Sequence, residues 1–139
     1  MECVFCHGIK KNKFLPLQTI FFIVYDINPI QTGHLLIISK KHYQNIQNVP
    51  STILTELIML EQYLSQIIEN NFDVLGVSII MNNGRVMDEG THFHVHIIPR
   101  YAKDAFWDNQ NIIQHNLSLK KLSQLLSTKI SSLSLKIDL

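Results

Sequence analysis

The sequence predicts one α+β domain in which an antiparallel sheet of about five strands packs against one long helix. Three observations support this fold class. The chain has 139 residues, of which 46% are hydrophobic and 17% are charged, and this is the size and composition of a single domain. Short apolar runs separated by turn residues indicate strands. One longer segment has helical periodicity.

The first two strands are predicted as a hairpin within residues 18–38. Residues 18–26 are rich in β-branched and aromatic side chains, and residues 34–38 form a second apolar run. Asn28-Pro29 and Gly33, which lie between the two runs, are typical of turns. We therefore expect two antiparallel strands joined by a fairly long loop.

Residues 51–70 are predicted to form the long helix. Apolar residues recur there at spacings of three and four, with polar residues between them. Pro50 followed by Ser51 or Thr52 is a suitable helix start. One face of this helix is apolar, and we expect that face to cover the sheet.

Residues 74–81 and 92–98 are predicted to be two further strands. The first is an apolar run that ends at the turn signal Asn82-Asn83-Gly84. The second alternates polar and apolar residues until Pro99.

The last part of the chain has a different character. Residues 109–116 are polar, and residues 119–135 are rich in Ser, Leu and Lys with loose helical periodicity. We expect residues 1–107 to form the main domain. Residues 108–139 are then a partly helical extension that packs on the same domain.

Charge and hydropathy narrow the partners that the chain can take. Twelve Lys and Arg oppose eleven Asp and Glu, so the net charge is +1. A general nucleic-acid binder relies on a large positive field, so no nucleic-acid partner is expected. The apolar runs are far shorter than the ~20 residues that span a bilayer, and the start of the chain lacks a signal-peptide pattern. We expect a cytoplasmic protein that binds a small anion locally and has no membrane partner.

Three of the seven histidines, His92, His94 and His96, alternate with apolar residues in the last predicted strand. Alternate side chains of a strand share a face, so these histidines form one stripe while the residues between them enter the core. His92 and His96 lie roughly 13 Å apart along such a strand, which is too far for all three to hold one metal ion. The histidines therefore divide their roles between metal binding and histidine chemistry, unless the stripe is only a polar strand face.

The segment His92-Phe93-His94-Val95-His96-Ile97-Ile98 resembles the signature of the histidine triad (HIT) family of nucleotide hydrolases and transferases. Further matches lie in the expected order at Asp26-Ile27-Asn28-Pro29, Gly33-His34, Lys40-Lys41-His42, Asn82-Asn83-Gly84 and Pro99-Arg100-Tyr101. The resemblance covers residues 1–107. It implies a HIT-like fold and a homodimer whose two sheets join edge to edge.

The resemblance also implies a reaction at the α-phosphorus of a nucleotide. His94 matches the histidine that attacks phosphorus and forms a nucleotidyl-histidine, which water then cleaves. Imidazole is largely neutral at pH 7, and its free lone pair suits this step. His96 matches a donor to a phosphate oxygen, and His34 matches the group that sets the tautomer of the nucleophile.

The expected substrates are nucleoside phosphoramidates or dinucleoside polyphosphates, most naturally of a purine, from which a nucleoside monophosphate is released. Asp26 matches the acid that binds the ribose hydroxyls, and Ile27 matches the apolar wall against the base. Asn82 and Thr91, together with His94 and His96, complete the nucleotide-binding set implied by the resemblance. For Asp26 and Asn82, a purely structural role in a turn is the alternative.

The pair Cys3-Val4-Phe5-Cys6 has the spacing of half a zinc site, and a tetrahedral site needs two more ligands. A redox pair and two incidental cysteines are the alternatives. Some bacterial-type HIT proteins hold a structural zinc with such a pair and with two histidines that match His42 and His92. The resemblance therefore implies zinc at Cys3, Cys6, His42 and His92.

The chain departs from the family pattern between Gly84 and His92. This segment carries two acids, Asp88 and Glu89, which repel a phosphate unless Arg85 or a metal offsets them. The choice of substrate therefore stays open. A nucleotide-binding regulatory protein with little turnover is the alternative function, and a metal-storage or redox module is a third.

Overall fold

A computed structural model describes residues 2–10, 13 and 19–131 of the chain. The chain divides into two compact units, residues 1–104 and residues 105–139. The first unit contains one antiparallel sheet and a long helix, so the predicted α+β fold class is confirmed. The sheet has four strands within the described residues, not the five expected.

The first unit contains β1 (Phe21–Tyr25), β2 (Leu35–Ser39), α1 (Ser51–Asn71), β3 (Gly76–Ile80) and β4 (His94–Arg100). Short helical turns lie at Val4–Gly8, Ile46–Asn48 and Gly84–Val86. The strand order is β1-β2-β4-β3, and every neighbouring pair is antiparallel. The long connection through α1 therefore leads from β2 to β3 at the edge of the sheet, and β4 returns between β3 and β2.

The second unit contains α2 (Leu119–Ser131) within its described part. The predicted helix over residues 119–135 is thus confirmed as far as Ser131, and residues 132–135 lie outside the described part. No helix among the described residues combines the length and the apolar composition of a membrane span. The predicted domain boundary at residue 107 stays a prediction.

One face of the sheet packs against α1 and forms the main core. Leu57, Leu64 and Ile68 of the helix are buried against this face. On the sheet side, the same core contains Phe93, which precedes β4, and the strand residues Phe21, Ile23, Leu35, Ile37, Val95 and Ile97. The apolar residues between the triad histidines therefore enter the core, as the alternation predicts.

The opposite face of the sheet carries the polar candidate residues and a smaller apolar cluster. Leu36 of β2 lies opposite His96, and Ile38 lies opposite His94. Residues directly opposite each other in neighbouring strands share a face, so these histidines stand beside an apolar cluster of Val24, Leu36 and Ile38. Phe5 and Ile9, from the start of the chain, pack on that cluster.

The last strand begins two residues later than predicted. Its ladder with β2 ends at the pair Ile38 and His94, so His92 lies before the strand. The carbonyl of His92 accepts a hydrogen bond from the ring of His94, and the N–H of Phe93 donates to the carbonyl of Tyr43. These backbone groups are therefore used outside the sheet, which ends the strand pairing there.

Candidate active site and metal centre

The hairpin of β1 and β2 brings Asp26 and His34 together at one end of the sheet. The N–H of Asp26 donates to the carbonyl of His34 at 2.9 Å, just beyond the last ladder pair. Gly33 provides the turn before His34 with φ +88°, a conformation that favours glycine. Because β4 runs beside β2, the histidines of β4 lie next to His34.

His34 joins the backbone to His96 through both of its ring nitrogens. Its Nδ1 accepts the N–H of Ile30 at 3.2 Å, so the ring proton is on Nε2. This Nε2–H donates to Nδ1 of His96 at 2.9 Å. Oδ2 of Asp26 also lies 3.5 Å from Nε2 of His34. His96 in its neutral form therefore carries its proton on Nε2.

The other oxygen of Asp26 is used locally. Oδ1 accepts the N–H of Asn28 at 2.8 Å and so holds the start of the loop after β1. The Asp26 side chain is mostly buried, with 16% of its surface exposed. The carboxylate of Asp26 therefore stabilises the turn through one oxygen and lies near His34 and His96 through the other.

His94 has the opposite tautomer to that of His96. Its Nδ1 lies 2.7 Å from the carbonyl oxygen of His92, which only accepts, so Nδ1 donates. The neutral ring then has its lone pair on Nε2. The prediction that His34 sets the tautomer of His94 is wrong in this geometry, because His34 bonds to His96 and the backbone of His92 orients His94.

Burial keeps His34 and His96 neutral near pH 7. Desolvation, and after it the neighbouring His94 and His34, lower the pKa of His96 to about 4, although Asp26 and Asp88 oppose this shift. Desolvation also lowers the pKa of His34, although Asp26 opposes this shift. The hydrogen bond from His34 to His96 needs one donor and one acceptor nitrogen, and two neutral rings provide them.

The four predicted metal ligands lie together in the structure. The ligand atoms of Cys3, Cys6, His42 and His92 are all within 4.8 Å of one another. Sγ of Cys3 is 3.2 Å from Nδ1 of His92, and Sγ of Cys6 is 3.3 Å from Nδ1 of His42. Two thiols and two imidazoles are a donor set that zinc favours in structural sites.

A backbone contact orients the ring of His92 so that Nδ1 faces the two thiols. Its Nε2 lies 2.6 Å from the carbonyl oxygen of Ser39, so Nε2 donates and the lone pair of Nδ1 faces the two thiols. Desolvation raises the pKa of the Cys6 thiol, and the adjacent Cys3 raises it further. A divalent cation would reverse this effect by stabilising the thiolates. The chemistry of the cluster therefore fits zinc.

The other predicted nucleotide contacts are Ile27, Asn82 and Thr91. Ile27 follows Asp26 and is 91% exposed, so its apolar surface is available to a ligand. Ile80, the last residue of β3, pairs with His96, and Asn82 follows two residues later in the chain. The hydroxyl of Thr91 donates to the carbonyl of Asp88 at 2.6 Å and closes the turn before the triad. Nucleotide contacts of these residues remain predictions.

Sequence reasoning gave no role to two residues that support these groups. The carbonyl of Ser39 fixes His92, and the buried Ser39 hydroxyl donates to the carbonyl of Phe93. Phe5 contacts the rings of His92 and His94. The only sequence signal for Phe5 was an aromatic residue between two candidate metal ligands, and Ser39 acts through a backbone atom that carries no sequence signal.

An antiparallel sheet with this histidine stripe beside a Cys/His cluster defines a protein of the histidine-triad type. The family model of the HIT domain matches residues 9–103. The chain therefore belongs to the HIT domain family.

Several proteins are similar in sequence to most of this chain, and two of the three described below are named for an enzymatic activity. The adenylylsulfatase of Arabidopsis thaliana is 31% identical over 91% of this chain, which spans 66% of that protein's length. An uncharacterised HIT-like protein of Methanocaldococcus jannaschii is 36% identical over 74% of this chain and 82% of its own. The adenosine 5'-monophosphoramidase of Candida albicans is 32% identical over 71% of this chain and 70% of its own.

Solved structures support the fold. A HIT family protein from Bacillus subtilis superposes with a TM-score of 0.72 at 22% identity, and the match covers 96% of this chain and 99% of that one. A zinc-bound histidine triad family protein from Mycobacterium smegmatis has a TM-score of 0.63 at 21% identity, with 93% of both chains covered.

Proposed function

We propose that this protein hydrolyses or transfers nucleotides by attack of His94 on the α-phosphorus of a nucleoside phosphoramidate or a dinucleoside polyphosphate. The observation that carries the proposal is the pair of opposite tautomers on neighbouring rings. His94 offers a lone pair at Nε2, and His96 offers a proton at Nε2. The ring centroids are 4.9 Å apart, so both nitrogens can serve one phosphate.

In the first step a bond forms between Nε2 of His94 and phosphorus while the bond to the leaving group breaks. A phosphate leaving group departs as an anion, and an amine takes up a proton from solvent as it departs. The Nε2–H of His96 donates a hydrogen bond to a phosphate oxygen, where negative charge is redistributed. Water then displaces His94, and a nucleoside monophosphate is released.

The nucleotide is held by groups around this pair. Asp26 is proposed to accept the ribose hydroxyls, and Ile27 to contact the base. Asn82 and Thr91 are proposed to contact the phosphate or sugar. The activities for which relatives are named support a purine nucleotide as the substrate class: these relatives are an adenylylsulfatase, a phosphoramidase and a bis(5'-adenosyl)-triphosphatase of Dictyostelium discoideum.

We propose that the Cys3–Cys6–His42–His92 cluster binds a structural zinc ion. Zinc bound there would fix the start of the chain against the sheet and would take no part in the reaction. The donor set and the zinc-bound relative support this assignment.

We propose that the protein acts as a homodimer in the cytoplasm. Residues 1–107 are proposed to form the catalytic domain and residues 108–139 an extension. β3 is an edge strand, and the apolar side chains of Ile79 on it and of Leu75 just before it are exposed. Exposed apolar surface beside an open sheet edge favours association. Light scattering coupled to size-exclusion chromatography tests the dimer.

The function is tested by incubating the purified chain with adenosine phosphoramidate and with diadenosine polyphosphates and by measuring AMP. We expect AMP release by the wild type and at least a 10³-fold loss in His94→Ala, because the covalent step is removed. Full activity of His94→Ala, or no AMP from any substrate, would contradict the proposal. Trapping of a nucleotidyl-His94 adduct without turnover would instead identify a nucleotide-binding regulatory protein.

A further inference from the structure

Phe5 joins the metal cluster to the reactive histidine. It lies in the turn Val4–Gly8, between Cys3 and Cys6. Its ring centroid is 4.9 Å from that of His94 and 5.5 Å from that of His92, with edge-to-face angles of 77° and 89°. One side chain therefore contacts both a candidate metal ligand and the candidate nucleophile.

The position of Phe5 depends on contacts of its neighbours in the chain. The N–H of Val4 donates to the carbonyl of Gly90 at 2.7 Å, in the loop that leads to the triad. Sγ of Cys3 and Sγ of Cys6 lie 3.2 Å and 3.6 Å from Nδ1 of His92. The turn has no buried residue of its own, so these contacts and the packing of Phe5 hold it on the sheet.

The ring of His94 is buried and makes one hydrogen bond, through Nδ1. It is 5% exposed, its Nδ1 is held by one backbone carbonyl, and its second aromatic neighbour is His96. A single hydrogen bond permits the ring to tilt about it, whereas an aromatic ring packed against the imidazole limits this tilt. Attack on phosphorus needs the lone pair of Nε2 aligned with the bond that breaks, and small misplacements cost large factors in rate.

We propose that Phe5 is a positioning residue that aligns the ring of His94, and that a metal ion at the adjacent Cys/His cluster holds Phe5 in place. The proposal rests on the proposed function, in which His94 is the nucleophile. It adds that the metal site influences turnover through packing and not through chemistry at the phosphate.

The kinetic test compares Phe5→Ala and Phe5→Leu with Phe72→Ala, a control that removes an exposed ring at the end of α1. With adenosine phosphoramidate we expect kcat of Phe5→Ala to fall about 10–100-fold while KM changes less than about threefold. Phe5→Leu should recover part of the loss, and Phe72→Ala should match the wild type. Elemental analysis should find the same metal content in all four proteins.

Two kinetic outcomes would overturn the proposal. One is a kcat of Phe5→Ala within about twofold of the wild type with metal retained. The other is a loss of metal that accounts for the fall in kcat, since Phe5 would then serve the metal site alone.

A second readout is independent of turnover. In protein labelled with ¹⁵N-histidine, the ring signals of His94 should show one tautomer in the metal-loaded wild type at a fixed pH. They should show mixed or broadened signals in Phe5→Ala and after chelation. Unchanged His94 signals in both samples would overturn the proposal. If the wild type releases no AMP, the proposed function fails, whereas this spectroscopic result still decides whether Phe5 orders His94.

Discussion

Nε2 of His34 lies 2.9 Å from Nδ1 of His96, and this contact determines which nitrogen of His96 faces outward. The direction of the bond follows from the backbone, because the N–H of Ile30 occupies the other nitrogen of His34. A main-chain amide in the loop between β1 and β2 thus orients a proton on β4.

Removal of the His34 donor should lower kcat more than substrate affinity. We expect His34→Ala to reduce kcat about 10–100-fold, because His96 then loses the hydrogen bond that fixes its tautomer. His34→Gln should lose less, since its amide nitrogen can replace Nε2 as a donor. Steady-state kinetics with adenosine phosphoramidate measure both variants. An equal loss of kcat in the two variants would show that the hydrogen bond from His34 to His96 does not support catalysis.

The stability of the protein should fall as the pH drops below about 6.5. His96 is neutral in the folded state with a pKa of about 4, whereas an unfolded chain takes up its proton near pH 6.5. The unfolded state therefore binds more protons between these values, and acidification costs about 3 kcal/mol by pH 4. The lowered pKa of His34 acts in the same direction.

Urea denaturation between pH 7.5 and pH 4.5 measures this effect. His96→Gln is the matched variant, because it keeps a polar side chain but cannot titrate. The free energy of unfolding of His96→Gln should depend less on pH than that of the wild type. Parallel curves for the two proteins would show that His96 does not contribute.

Protein purified without chelator should contain about one zinc per chain. Cys3→Ser and His42→Ala should each lose the metal, and His7→Ala should retain it, because His7 is outside the four-residue cluster. Loss of the metal should lower Tm by several degrees, since 1 kcal/mol corresponds to about 2–8 °C in small domains. Elemental analysis and thermal scans test this, and a zinc-free wild type would rule out the assignment.

Substitution of a buried isoleucine should lower stability, whereas substitution of an exposed isoleucine should affect ligand binding. Ile97 is fully buried, and Ile97→Ala should cost about 2–5 kcal/mol in the free energy of unfolding. Ile27 is 91% exposed, and Ile27→Ala should change stability by less than about 0.5 kcal/mol. If Ile27 contacts the base, Ile27→Ala raises KM for the nucleotide several-fold at unchanged kcat. An unchanged KM would remove Ile27 from the site.

Local patterns predicted the long helix and the four observed strands, with errors of a few residues at their ends, and the division of side chains between the sheet faces. The alternation around His94 and Val95 predicted which residues enter the core, and the spacing of Leu57, Leu64 and Ile68 predicted the face of α1. These properties follow from the period of a strand or helix, which neighbouring residues define. The resemblance added the cluster of Cys3, Cys6, His42 and His92, whose proximity the structure supports.

The orientation of each histidine ring was decided only by the tertiary structure. His34 and His96 are 62 positions apart in the chain, and only the pairing of β2 with β4 brings their rings into contact. The groups that select the tautomers of His34, His92 and His94 are the backbone atoms of Ile30, Ser39 and His92. Every residue type carries such atoms, so their roles leave no mark on the sequence. The sequence therefore determined which side chains are candidates for the proposed chemistry, whereas the register of the sheet decided which nitrogen of each ring is available for it.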